Sequence, residues 1–354
     1  MEVSMKRTIF VLALVAVACI TVWCRFAAAG EECLPAGGLS FLCGPVAAED
    51  LVRVPGTHWI IGSGMVEKGG PGRLHLIDAA KKAWEILYPG ANPQNEFDAK
   101  SYASCPGAPD AKTFGAHGIA IHDDGHRTAT LLAVNHGREA IEVFKLDAAG
   151  AKPVIRWIGC VPMDKSVSLN SVAFLPGGGF VATKFYDPTS KESFGAIMAH
   201  KLTGGVLKWQ SGGETKPIAG TDLSGANGIE VSKDGKSVYV AAWGAQEVVR
   251  FSHIDGVVQK TVVKVNFWPD NLRWAPDGTI LVTGQNTSAD ASGGFTGFKG
   301  WTVAKLDPQK MKATEILKDG GESPLQNASV AIDVDGTLWI GPFSGNRVAY
   351  KALK

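Results

Sequence analysis

Glu49, His117, Asn170, Asn227 and Asp270 occupy the same point in a phrase that recurs six times along the chain. The phrase runs from a small or polar pair through an alternating apolar strand to a glycine turn. Two copies read Asn227-Gly228-Ile229-Glu230-Val231-Ser232-Lys233-Asp234-Gly235 and Asp270-Asn271-Leu272-Arg273-Trp274-Ala275-Pro276-Asp277-Gly278, and the sixth begins at Ala328. Repeats keep their packing residues and let polar positions drift, so a non-packing column filled with oxygen and nitrogen donors points to function. Carboxylates and amide carbonyls are the ligands of Ca2+, which takes six to eight oxygens at roughly 2.3–2.6 Å. Magnesium prefers fewer protein ligands, and zinc wants His or Cys, of which the column offers one His. Glu49, Asn170, Asn227 and Asp270, with Asn271 adjacent, are therefore the expected oxygens of one calcium, its charge balanced by two carboxylates. Asn-Gly and Asp-Asn are also ordinary turn pairs. Four of them in register, with Glu49 where a turn has no use for Glu, favour the ligand reading.

The phrase starts at residues 49, 117, 170, 227, 270 and 328, and each copy is followed by a second β run such as Val238–Trp243, Ile280–Thr283 or Leu338–Gly341. A third usually comes next, as in Ile141–Leu146 and Val248–Phe251. Three to four short strands per unit, at about 40–50 residues, is the spacing of propeller blades. The chain is expected to be all-β: a six-bladed β-propeller with a central metal site. The first strand of each blade lines the channel, so the column residues converge on the axis. A segment near the N-terminus should close the ring and remove its exposed edges. Two stretches, Phe185–Ala196 with a short helix before His200 and the Gly/Ser/Thr-rich run Gln285–Gly300, read as loops over one face.

The beginning of the chain reads as an export signal. Lys6 and Arg7 precede an apolar run from Thr8 to Trp23, and Ala27-Ala28-Ala29 supplies a small-residue cleavage site. The run has 16 residues, short of the roughly 20 that span a bilayer. Residues 1–29 are thus expected to be a signal peptide and residues 30–354 one exported propeller domain, periplasmic or extracellular, with no integral membrane span. Cleavage removes Lys6, Arg7, Arg25 and Glu2, taking the formal charge from +1 to −1. That balance offers no case for nucleic acid or an anionic surface. Cys33, Cys43, Cys105 and Cys160 remain, an even count that permits two disulfides in three pairings. Cys33–Cys43 with Cys105–Cys160 is the favoured pairing, and reduced, buried cysteines are the alternative.

Glu49-Asp50, His117-Gly118-Ile119, Val134-Asn135-His136, Leu169-Asn170-Ser171, Ala226-Asn227-Gly228-Ile229 and Asp270-Asn271 resemble the serum paraoxonase/arylesterase family. More broadly they are similar to the calcium-dependent, gluconolactonase-type six-bladed propellers. The likeness runs from residue 45 to residue 350 and lies in the motifs rather than between them. It implies a catalytic calcium held by Glu49, Asn170, Asn227, Asp270 and Asn271. It also implies a second, structural calcium at the side chains of Asp50 and Ser171 and the main chain of Ile119. Ser171 stands where the paraoxonases carry an acid, so the second ion is expected to be weaker or absent.

The function implied is a calcium-dependent hydrolase of lactones or aryl esters, with a small-molecule ester or lactone as partner. Calcium would polarise the carbonyl while a His-activated water attacks. The resemblance offers His117 as the base and His136 as its orienting or relaying partner. The plainer reading is that His117 only hydrogen-bonds in the channel and His136 caps a hairpin. Asp270 acting as nucleophile rather than pure ligand is a competing role. From another class comes the alternative of a non-catalytic, calcium-stapled propeller serving as a binding module.

Overall fold

The computed structural model describes residues 33–353 apart from 66–71, 192 and 290–294; the segment 1–29, expected to be a signal peptide, lies outside the described residues. Among the described residues six sheets form, four strands in each except one of five. Four of the sheets run antiparallel in chain order; in the five-stranded one the short strand Gln94–Asn95 adds in parallel beside Val154–Pro162, and the last takes a strand from near the start of the chain. This is the six-bladed propeller. The innermost strands are Ala48–Arg53, Ala116–Gly125, Ser168–Phe174, Ala226–Val231, Trp268–Trp274 and Ala328–Val334, one per copy of the phrase. The sixth blade is completed from the other end of the chain: Ser40–Cys43 pairs antiparallel with Arg347–Ala352, so the first and last elements share a sheet.

Period-two alternation explains how the blades stack. Ile119 and Leu131 enter a core with Val52, Ile61 and Leu74 of the preceding blade, while their neighbours Ala120 and Leu132 enter a core with Val172 and Phe180 of the following one. Each blade is therefore apolar on both faces, which is why the inner strands are buried almost throughout. The turn glycines of the phrase have a conformational duty. Gly56, Gly125, Gly235, Gly278 and Gly336 all have φ between 66° and 83°, where a side chain would be strained.

The run 285–300 differs from its expected loop. It extends two strands, Ile280–Ala289 and Phe295–Asp307, that pair beyond the blade's rim. The short helix, Ser193–Met198, lies where it was expected.

Both favoured disulfides form. Cys105–Cys160 links residues 55 apart in sequence and both cysteines are buried. Closing a loop of that length is worth about 4 kcal/mol in the chain-entropy account. A Cys105→Ser, Cys160→Ser double variant is expected to lose close to that amount in urea unfolding.

Candidate functional site

Every inner strand breaks its pairing register at its start, at or beside the column residue. The breaks fall between Ala48 and Asp50, Ala116 and Ile119, Leu169 and Val172, Ala226 and Ile229, Pro269 and Leu272, and Ala328 and Val330. Such a bulge frees a residue from the ladder and re-aims its side chain, here at the same end of the channel in all six blades. Glycine after the column residue lets neighbouring strands close in. A Cβ on Gly118 would meet the Asn170 carbonyl at 2.5 Å, and one on Gly228 would meet that of Asp270 at 2.5 Å.

Glu49, Asn170, Asn227, Asp270 and Asn271 are all buried. Asn271 Nδ2 donates to Glu49 Oε1 at 2.6 Å and to the Glu49 carbonyl at 3.1 Å, and Ser329 Oγ holds the same carbonyl at 2.6 Å. Asp270 Oδ2 accepts from Gln285 Nε2 at 2.7 Å. Gln285, with no exposed surface, also donates to the Ala328 carbonyl and accepts from Trp243 Nε1 at 3.2 Å. Four oxygens of this set have no hydrogen-bond partner: Glu49 Oε2, Asn170 Oδ1, Asn227 Oδ1 and Asn271 Oδ1. Buried polar atoms are almost always satisfied, and the four orphaned acceptors on the predicted ligand residues are oxygens that a bound cation would satisfy. Three of the four orphaned oxygens belong to amides and do not titrate, and among the described residues no three His, Cys, Asp or Glu side chains gather as a metal-holding group. An amide-rich set of this kind fits a hard cation.

The electrostatics agree. Burial pushes Glu49 up to about 7, countered in part by its hydrogen bond from Asn271. Burial, and then the neighbouring Glu49 charge, push Asp270 well above the usual carboxylate range. Both acids are costly to ionise with no cation beside them.

His117 reaches the site from the second blade. Its Nε2 lies 3.5 Å from Glu49 Oε1, and its Nδ1 lies 2.6 Å from His136 Nε2. His136 Nδ1 in turn is 2.6 Å from Glu139 Oε1. The hairpin carrying His136 is braced by buried hydrogen bonds. Asn135 Oδ1 accepts from the amides of Gly115 and Gly137, and buried Glu142 takes a two-pronged contact from Arg138, the Trp157 indole and Asn135 Nδ2. Burial holds His117 below its ordinary value.

The groups expected at a second ion are arranged otherwise. Asp50 Oδ2 accepts the Ile119 amide at 2.8 Å and also bonds Arg273 Nη2, which reaches the Ile119 carbonyl at 2.6 Å. Ser171 is buried with its hydroxyl unpartnered.

Sequence reasoning missed Gln285, Glu139, Trp243 and Arg273. Trp243 and Trp268 pack at 4.4 Å between ring centroids, with Phe298 against both and Phe185 beside Trp243. Trp268 lies two residues before Asp270 on the same strand and is buried in an aromatic cluster at the site end of the channel. His200 belongs there too, stacked near Trp268.

A six-bladed propeller with an oxygen-lined, histidine-bearing channel defines the class of protein. The sequence pattern of one family within it, arylesterase, matches residues 48–353, and the chain belongs to that family. It is 28% identical to human serum paraoxonase/arylesterase 2 over 244 residues, covering 66% of this chain and 67% of that one. With human serum paraoxonase/lactonase 3 it shares 26% identity over 313 residues, covering 83% and 82%. Among solved structures it is similar to regucalcin, a calcium-binding protein from Agrobacterium tumefaciens, with a TM-score of 0.53 at 12% identity, covering 90% of this chain and 95% of that one.

Proposed function

We propose that the protein is a calcium-dependent hydrolase of lactones or aryl esters, exported by way of the segment 1–29. The observation that carries the reading is the cluster of four unpartnered, buried oxygens on Glu49, Asn170, Asn227 and Asn271 beside the Asp270 carboxylate. Relatives named as arylesterase and lactonase support the substrate class, and two disulfides suit an oxidising compartment. No helix among the described residues is long and apolar enough to cross a membrane.

When bound, calcium supplies polarisation of the ester carbonyl and stabilisation of its oxyanion. The chain's own residues provide the base. Glu139 accepts the His136 Nδ1 proton, which leaves His136 Nε2 to accept from His117 Nδ1, and so leaves the His117 Nε2 lone pair open to a water proton. The lowered pKa of His117 keeps it in the neutral, proton-accepting form at pH 7. Gln285 fixes Asp270 and ties it to the Trp243 wall. That aromatic wall, with Trp268 and Phe298, suits an apolar acyl chain or an aromatic leaving group.

The test is calcium titration of EGTA-treated protein with a chromogenic aryl ester and an aliphatic lactone. Turnover is expected to rise in step with ion binding. Because calcium must displace protons from Glu49 and Asp270, its apparent affinity is expected to weaken as pH falls below about 7. Tight calcium binding with no hydrolysis of either substrate would replace this reading with the non-catalytic, calcium-stapled module.

A further inference from the structure

We propose that Arg273 is a built-in replacement for the second, structural calcium, so that this chain binds one ion and keeps its channel stapled without the other. The inference goes beyond the hydrolase reading but shares its assumption that the first site takes calcium.

The guanidinium is buried, and every nitrogen it carries finds an acceptor. Nε donates to the Leu51 carbonyl at 3.0 Å. Nη1 donates to Glu230 Oε1 at 3.0 Å and the Leu272 carbonyl at 2.9 Å. Nη2 donates to Asp50 Oδ2 and to the Ile119 carbonyl. These acceptors belong to four of the six inner strands: Ala48–Arg53, Ala116–Gly125, Ala226–Val231 and Arg273's own Trp268–Trp274. One side chain thus joins four blades across the channel, as a polyvalent cation would.

Asp50 and the Ile119 main chain, two of the three groups expected to hold the second ion, are the groups it occupies. Asp50 Oδ1 is taken by the Leu51 amide at 2.9 Å and Oδ2 by the Ile119 amide and Arg273, so the carboxylate has few directions left for a metal. The third group, Ser171, brings a neutral hydroxyl. A divalent ion there would also sit against a fixed positive charge, which repels it. Two acids, Asp50 and Glu230, face one guanidinium, and Glu230 is absent from the ligand set that the family resemblance implies.

Arg273 and Glu230 also line a cavity of about 420 Å³ at the other end of the channel, whereas Asp50, Ile119 and Ser171 do not. On this proposal the exclusion is electrostatic and steric, set by the guanidinium itself.

Calcium counted on the full chain by calorimetry and atomic emission is expected at one ion per molecule. Two ions in the unaltered protein overturn the proposal, whatever the variants do. Arg273→Ser supplies the second arm. In EGTA it is expected to melt roughly 10 °C below the unaltered chain, since it leaves buried carboxylates unpaired. Millimolar calcium should restore much of that loss and raise the count to two. An Arg273→Ser melt equal to that of the unaltered chain in EGTA also overturns the proposal. A count of zero in the unaltered chain sinks the catalytic-calcium reading instead, and the melting comparison in EGTA still decides the role of the arginine.

Discussion

Asp270→Asn is expected to lower kcat/KM for ester or lactone by about 10³-fold or more, with calcium affinity falling alongside it. Of the predicted ligands only Glu49 and Asp270 are carboxylates that would balance a divalent charge; the others are neutral amides. Removing one leaves the ion half-balanced. Asparagine keeps the shape of the side chain and an oxygen that can accept from Gln285 Nε2, so the loss reports charge rather than packing. The same variant should behave oppositely when calcium is absent. Asp270 has its folded pKa raised by burial and by Glu49, so its contribution to stability is lost as pH rises through that raised value. Asp270→Asn has no such charge. In EGTA at pH 8 it is expected to melt above the unaltered chain, and in saturating calcium below it. Calorimetry and paired melting curves read both signs, and an unchanged calcium affinity in Asp270→Asn would remove this residue from the ligand set.

That crossing of signs follows from what the inner strands carry, and it bears on how much could be read in advance. The blades were legible because the phrase repeats its apolar alternation and its turn glycine, and Gly235, Gly278 and Gly336 all need positive φ. The column was legible because its members share a register. Gln285 was not. It sits on the second strand of its blade, and its bonds to Asp270 and Ala328 are set by pairing across strands rather than by spacing along the chain. Arg273 gave a local signal: a charge in the apolar run Leu272-Arg273-Trp274 of a strand buried on both faces must have partners. Its partners on other strands, however, lie 43 to 223 positions away, and no periodicity names them. Glu139 was hidden for a different reason. It follows His136 by three residues in a hairpin, where a glutamate ordinarily faces water, and only its left-handed backbone (φ 44°) turns it back onto the ring.

His117→Gln and Glu139→Gln separate the base from the group that positions it. His117 is the ring whose open nitrogen faces the ligand cluster, so its loss should cost about 10²–10⁴-fold in kcat with calcium affinity nearly unchanged. A purely structural His117 would instead lower the melting temperature and leave kcat close to its original value in the folded fraction. Glu139 touches no substrate; it fixes the His136 tautomer and its carboxylate favours the protonated form of His117. Neutralising it has two consequences of known sign. The rate should fall roughly tenfold as the proton order through His136 loosens, a loss on the scale of other oriented histidines. The acid limb of the kcat/KM profile should move to lower pH, because Glu139, which with Asp270 and Asp50 offsets the lowering of the His117 pKa by burial, no longer carries its charge. A packing defect has no reason to move that limb, so a Glu139→Gln profile that drops in height without shifting would confine Glu139 to holding the hairpin.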